Sequence, residues 1–167
     1  GREAGVGPGM SWDVAVITPG QDDQLLRRTL RLRGSGGSGE HIHSLGCGGQ
    51  LIGEFLVKAS GGTSKVAILE GIPGHDTGDQ RVKGFRDAVK AAPGVQVVAS
   101  QTANWERDQG FTVFQNMLQA NPAIDTVFAC NDMMALGAIE AIAAAGKTGR
   151  IRVLGFDAVD DARKAIA

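Results

Sequence analysis

Val66-Ala67-Ile68-Leu69-Glu70-Gly71-Ile72-Pro73-Gly74 decides how the chain reads: an unbroken apolar run ends in an acidic residue and a Gly/Pro-rich turn. A short apolar run bounded by turn residues is the pattern of a strand buried on both faces, as in a parallel sheet. The same pattern recurs at 95–99, leading to the cluster 100–105; at 126–129, leading to Cys130-Asn131-Asp132; and at 151–155, leading to Phe156-Asp157. In a parallel sheet these four clusters meet along one edge. Open α/β sheets bind their ligands there, in the crevice outside the carboxyl ends of the strands.

Helical stripes separate the runs. Leu51, Ile52, Phe55 and Leu56 recur at helical spacing and stop at Ser60-Gly61-Gly62. Val82, Phe85, Ala88, Val89 and Ala92 form a second stripe, ended by Pro93-Gly94. Phe111, Phe114, Met117 and Leu118 form a third, with Asn104 as its expected cap and Asn121-Pro122 as its stop. The helix predicted over 133–145 is apolar nearly all round, with Asn131 or Asp132 available to cap it and Gly146 to end it. A last helix is predicted over 157–166. The alternation of strand and helix predicts an α/β, three-layer, Rossmann-like lobe with a parallel sheet.

Residues 1–40 read differently. They are rich in Gly, carry a basic run at 27–33 and a Gly/Ser stretch at 35–39, and offer one candidate strand at 13–18 before Pro19-Gly20. No core-forming face is visible, and an irregular or disordered arm is expected. The sequence ends inside the last helical stripe, so a fragment of a larger protein is expected.

Bulk properties narrow the partners. With 167 residues the chain suits one domain, and 17 Lys+Arg against 18 Asp+Glu leave a net charge of −1. No global field favours nucleic acid, so no nucleic-acid partner is expected. No run approaches the roughly 20 apolar residues that span a bilayer, and no basic segment is followed by an apolar one at the N-terminus. Neither membrane insertion nor a signal peptide is expected in this chain. Cys47 and Cys130 give no disulfide framework.

The motifs that suggest catalysis are weak. Gly34, Gly36 and Gly39 satisfy G-x-G-x-x-G without following a strand or opening an apolar helix, as a dinucleotide site requires. His41, His43 and Cys47 lack a fourth ligand for zinc, and His75 lacks a Ser or Cys partner. Asp160 and Asp161 suit a helix N-terminus, whereas Asp157 stands at a strand end. No cofactor, metal or catalytic group is predicted. Arg81 sits in the first turns of a helix, where a cation is electrostatically disfavoured. Either an ion pair with Asp79 or Glu70 holds it there, or its fork grips a ligand. Trp105 follows a strand end, and is either core filler or a face on which a sugar ring can stack.

From about residue 41 to the end, the chain resembles the ribose-type periplasmic sugar-binding proteins, the type I solute-binding components of ABC importers. The match is to their C-terminal lobe. It is carried by the segments 65–74, 81–85, 99–105, 127–138 and 153–157. The resemblance implies that Arg81 and Asp157 bind sugar hydroxyls as charged partners, Asn131 as an amide, Trp105 as the stacking wall and Ile72 as an apolar contact. Ser44 stands where the family has a serine in a Ser-Asp-Asn segment, although this chain has His43-Ser44-Leu45-Gly46-Cys47 there. Residues 1–40 do not resemble the family's other lobe, and suit an out-of-frame or artificial leader. The implied partners are a monosaccharide and the importer's membrane permease, and the implied location of the full-length parent is the periplasm or cell envelope. Two other readings share the fold. The effector domain of a LacI-type regulator would bring a helix-turn-helix, of which residues 1–40 show no sign, and a doubly wound nucleotide-dependent enzyme would bring a phosphate loop or an activated nucleophile.

Overall fold

The computed structural model describes the backbone of residues 10–19, 25–34 and 41–156, and the side chains of 48–156. In chain order the elements are β1 (Met10–Pro19), β2 (Leu25–Gly34), α1 (His41–Ala59), β3 (Ser64–Glu70), α2 (Asp76–Val89) and β4 (Val95–Thr102). These are followed by α3 (Arg107–Ala120), β5 (Thr126–Ala129), α4 (Asp132–Ala144) and β6 (Arg152–Leu154). The six strands form one sheet in the order β2-β1-β6-β5-β3-β4.

The predicted parallel sheet is its inner part, β6-β5-β3-β4. The chain steps outward from β3 to β4, then returns across β3 to place β5 on its other side. This reversal, between β3 and β5, is the topological switch point, at whose carboxyl side open α/β sheets bind their ligands. It also separates the helices, with α1 packed on α2 and α3 packed on α4.

Burial explains the apolar runs. Val66, Ala67, Ile68 and Leu69 of β3, and Val127, Phe128 and Ala129 of β5, are all fully buried because helices cover both faces. Phe85 from α2 stacks on Phe128, with ring centroids 4.6 Å apart, which locks that helix to the central strand. Glycines let the helices approach closely. A Cβ on Gly49 of α1 would lie 2.0 Å from the Arg81 carbonyl oxygen of α2, and one on Gly137 of α4 would lie 2.1 Å from the Arg107 carbonyl oxygen of α3. Helix α4, apolar all round as read, buries Met134, Ala135, Leu136, Ala138, Ala141 and Ile142.

Several expectations are corrected. Where an irregular arm was expected, β1 and β2 pair antiparallel over ten residues each, and β1 continues the sheet by pairing with β6 at Val16↔Leu154 and Ile17↔Val153. The stretch Leu30-Arg31-Leu32-Arg33 alternates with the period of a strand, a signal that its charge concealed. Helix α1 begins ten residues before the Leu51 stripe, so His41, His43, Ser44 and Cys47 lie within it. Strand β4 runs on through Thr102. Asn104 is not the cap of α3; Glu106 takes that position without a side-chain bond, because Asn104 is committed to the turn before it. The helix predicted over 157–166 lies outside the described residues.

Candidate functional site

Two strand ends and helix α2 bring three of the residues singled out from sequence into one connected group. Asn131, directly after β5, is the cap of α4: its Oδ1 accepts from the Met134 N–H at 2.9 Å. An asparagine suits the position because its side chain replaces a carbonyl that the first helical turn lacks. Its Nδ2 donates to the Trp105 carbonyl at 3.2 Å, tying the end of β5 to the loop after β4. One N–H and one lone pair of the amide remain beyond these two bonds.

Arg81 enters from the second turn of α2. Only 7% of it is exposed, and its Nη1 donates to the Cys130 carbonyl at 2.5 Å, next to Asn131. The guanidinium lies over the Phe156 ring, 3.8 Å from its centroid. A planar, weakly hydrated cation tolerates such burial better than an ammonium does, since it bonds in its plane and stacks on its face. The same burial pushes the Cys130 thiol up to about 12, against the opposing pull of the Arg81 charge. That thiol stays protonated near neutral pH and is no nucleophile.

Trp105 completes the group. Its indole lies against Gly71 and Gly78: a Cβ on Gly71 would fall 2.1 Å from Cζ2, and one on Gly78 would fall 3.1 Å from the ring. His75 meets it edge-on at 5.9 Å. The Thr102 hydroxyl donates to the Gly71 carbonyl at 2.7 Å, and the Ala103 N–H donates to the Glu70 carbonyl at 2.9 Å, so the loops after β3 and β4 are stitched together. Ile72, in the turn after β3, is 46% exposed.

Arg81, Trp105 and Asn131 are thus brought together, with Ile72 beside them. Ser44 lies in α1 with its side chain outside the described residues, and Asp157 lies outside them altogether, immediately after Phe156. Sequence reasoning missed Gly71 and Gly78 as the bed of the indole, and Phe156 as the platform for Arg81. The only sequence signal was Gly at a strand end, which marks close approach without saying of what. Among the described residues no group of His, Cys, Asp and Glu is placed to hold a metal ion, and no helix is long and apolar enough to cross a membrane.

Residues 48–167 match the family model of the periplasmic binding protein domain. The chain belongs to this family. It is 44% identical over 119 residues to the ribose import binding protein of Salmonella typhimurium, an alignment covering 71% of this chain and 40% of that protein. It is also 44% identical over 108 residues to the D-allose-binding periplasmic protein of Escherichia coli, covering 65% of this chain and 34% of that one. Among solved structures, an ABC transporter periplasmic solute-binding protein of Actinobacillus succinogenes with bound D-allose superposes with a TM-score of 0.70 at 45% identity, over 72% of this chain and 43% of that one. The Caulobacter myo-inositol binding protein, bound to myo-inositol, gives 0.68 at 37% identity, over 71% and 41%. The chain therefore spans about a third to two fifths of the length of these relatives, and the region matched by the family model contains Ile72, Arg81, Trp105, Asn131 and Asp157 but not Ser44.

Proposed function

We propose that residues 41–167 are one jaw of a monosaccharide clamp, the C-terminal lobe of the solute-binding component of an ABC sugar importer, and that residues 1–40 stand outside the family's pattern. The observation that carries this reading is the convergence of Arg81, Trp105 and Asn131 on the switch-point crevice. Supporting it, the names of the relatives specify ribose and allose. A pyranose needs the two kinds of contact this edge offers. Charged and amide groups satisfy its hydroxyls, and an aromatic face covers its C–H surface.

In this reading Arg81 and Asp157 take hydroxyls as charged partners, and Asn131 uses the N–H and lone pair left over from its structural bonds. Trp105 is the wall, Ile72 an apolar contact at the rim, and Ser44 a further hydroxyl at the start of the lobe. The parent protein is periplasmic and delivers its sugar to a membrane permease, closing over it by hinge motion.

Calorimetric titration of the chain with D-ribose and D-allose tests the reading. One jaw supplies part of the hydrogen bonds and leaves them open to water, so millimolar binding that is lost in Trp105→Ala is expected. Micromolar binding would contradict the half-site, and binding unchanged in Trp105→Ala would contradict the assignment of the wall.

A further inference from the structure

Among the described residues, Asn104 (φ 53°) and Trp105 (φ 67°) are the only ones other than glycine in the left-handed region, and they are adjacent. There the Cβ of an L-residue presses on the following carbonyl, a strain that Asn tolerates and a bulky aromatic does not. The Glu106 N–H donates to the Ala103 carbonyl at 2.9 Å, closing a four-residue turn around the pair. Two positive φ values in the centre of such a turn are the signature of type I′, whose second central position favours glycine. A tryptophan occupies it here.

The turn is held from several sides. The Asn104 N–H donates to Thr102 Oγ1 at 3.2 Å, Asn104 Nδ2 donates to Gln109 Oε1 at 2.6 Å, and Asn131 Nδ2 donates to the Trp105 carbonyl. Backbone strain that persists under this much restraint marks a place where the side chain's direction matters. The direction obtained is the one that lays the indole on Gly71 and Gly78.

We infer that Asn104 is a positioning residue for sugar binding: by accepting the left-handed conformation at the first central position, it sets the turn that aims the Trp105 ring along the strand-end crevice. The inference rests on the proposed sugar site and adds to it a residue that acts through Trp105. It also explains why an asparagine stands three residues before the start of α3 without capping that helix.

The test follows the Trp105 indole N–H resonance, assigned by its loss in Trp105→Phe, together with D-ribose titration of the full chain. Asn104→Gly keeps the left-handed backbone without the amide, and is expected to leave the resonance in place and the affinity within about twofold. Asn104→Ala, and more so Asn104→Val, are expected to move the resonance and weaken ribose binding by about tenfold. If Val prevents folding, the Ala and Gly pair decides. An unmoved resonance in Asn104→Ala would overturn the inference, as would a Gly variant displaced as far as the Ala variant. If the unmodified chain binds no ribose, the sugar reading fails, and the resonance comparison still decides whether Asn104 sets the turn.

Discussion

At the amino ends of β3, β5 and β6, polar residues bond mainly to one another; at the carboxyl edge of the sheet, Arg81, Thr102 and Asn131 each donate to a backbone carbonyl. Ser64 Oγ donates to Asp125 Oδ1 at 2.5 Å, Thr126 Oγ1 donates to the same oxygen at 3.0 Å, and the Lys65 N–H donates to it at 3.2 Å. Arg152 Nη1 reaches Thr126 Oγ1 at 3.4 Å, and burial lowers the Arg152 pKa against the opposing charge of Asp125. This end fastens three strands side by side. At the other end the buried cation of Arg81 leans on a carbonyl and an aromatic face, an asparagine both caps and straps, and two adjacent residues sit in strained backbone. Hydrogen bonding makes a fastening at the first end and an arrangement of aimed groups at the second.

Mutations separate the two ends. The largest effect is expected from Arg81→Met, which leaves the buried Cys130 carbonyl without its charged donor: about 2–3 kcal/mol of stability in urea unfolding, with sugar binding lost. Arg81→Lys tests the same contact more gently, since an ammonium neither forks nor stacks as a guanidinium does. If Arg81→Lys binds sugar as well as the parent chain, the residue is structural only.

Gly71→Ala ranks next, at about 1–3 kcal/mol, because the added methyl overlaps the indole. Its distinguishing signature is a shift in Trp105 fluorescence. Ser64→Ala at the opposite end is expected to remove about 1–2 kcal/mol while leaving Trp105 fluorescence and sugar binding untouched. Should Ser64→Ala alter binding, the two ends are not independent.

Two smaller effects concern charge. Cys130 has a folded pKa raised from its ordinary 9.0 to about 12, so its contribution to stability is complete below pH 9 and is lost as the pH climbs from 9 towards 12. Cys130→Ala is expected to flatten that part of the stability profile, and in a Cys47→Ser background the native thiol is expected to resist a thiol reagent at neutral pH. Asp87, on the exposed side of α2, is held below the usual carboxylate range by hydrogen bonds from Lys83 and then Lys90. A depressed folded pKa means that this contribution is present above the unfolded value and fades as the pH falls through the folded one. Because the pair is solvent-exposed, Lys83→Gln is expected to leave the unfolding midpoint unchanged within error.

The inner sheet was legible in the sequence because a strand covered on both faces must be apolar without interruption, as β3 and β5 are. Turn residues then marked where β3 and β5 stopped, whereas β4 ran three residues beyond its expected end. Trp105 and Asn131 were legible as odd residue types just past those stops, and Arg81 as a cation near a helix N-terminus. What joins them was not, because the bond from Arg81 to Cys130 spans 49 residues and the bond from Asn131 to Trp105 spans 26. Asn104 misled for a physical reason: the short amide that makes Asn a good helix cap also lets it enter the left-handed region, and only the fold decides between the two. The β1–β2 pair was missed because its alternation of Leu and Arg was read as charge before it was read as period.

The central claim is that the carboxyl edge of this sheet is half of a sugar site. Its most direct test is a ¹H–¹⁵N titration of the chain with D-ribose, following the Trp105 indole, the Asn131 side-chain amide and the backbone of Ile72 against those of Ser64 and Thr126. At millimolar sugar the first three are expected to move together while the last two stay in place. Movement at Ser64 and Thr126 with a silent Trp105 and Asn131 would contradict it.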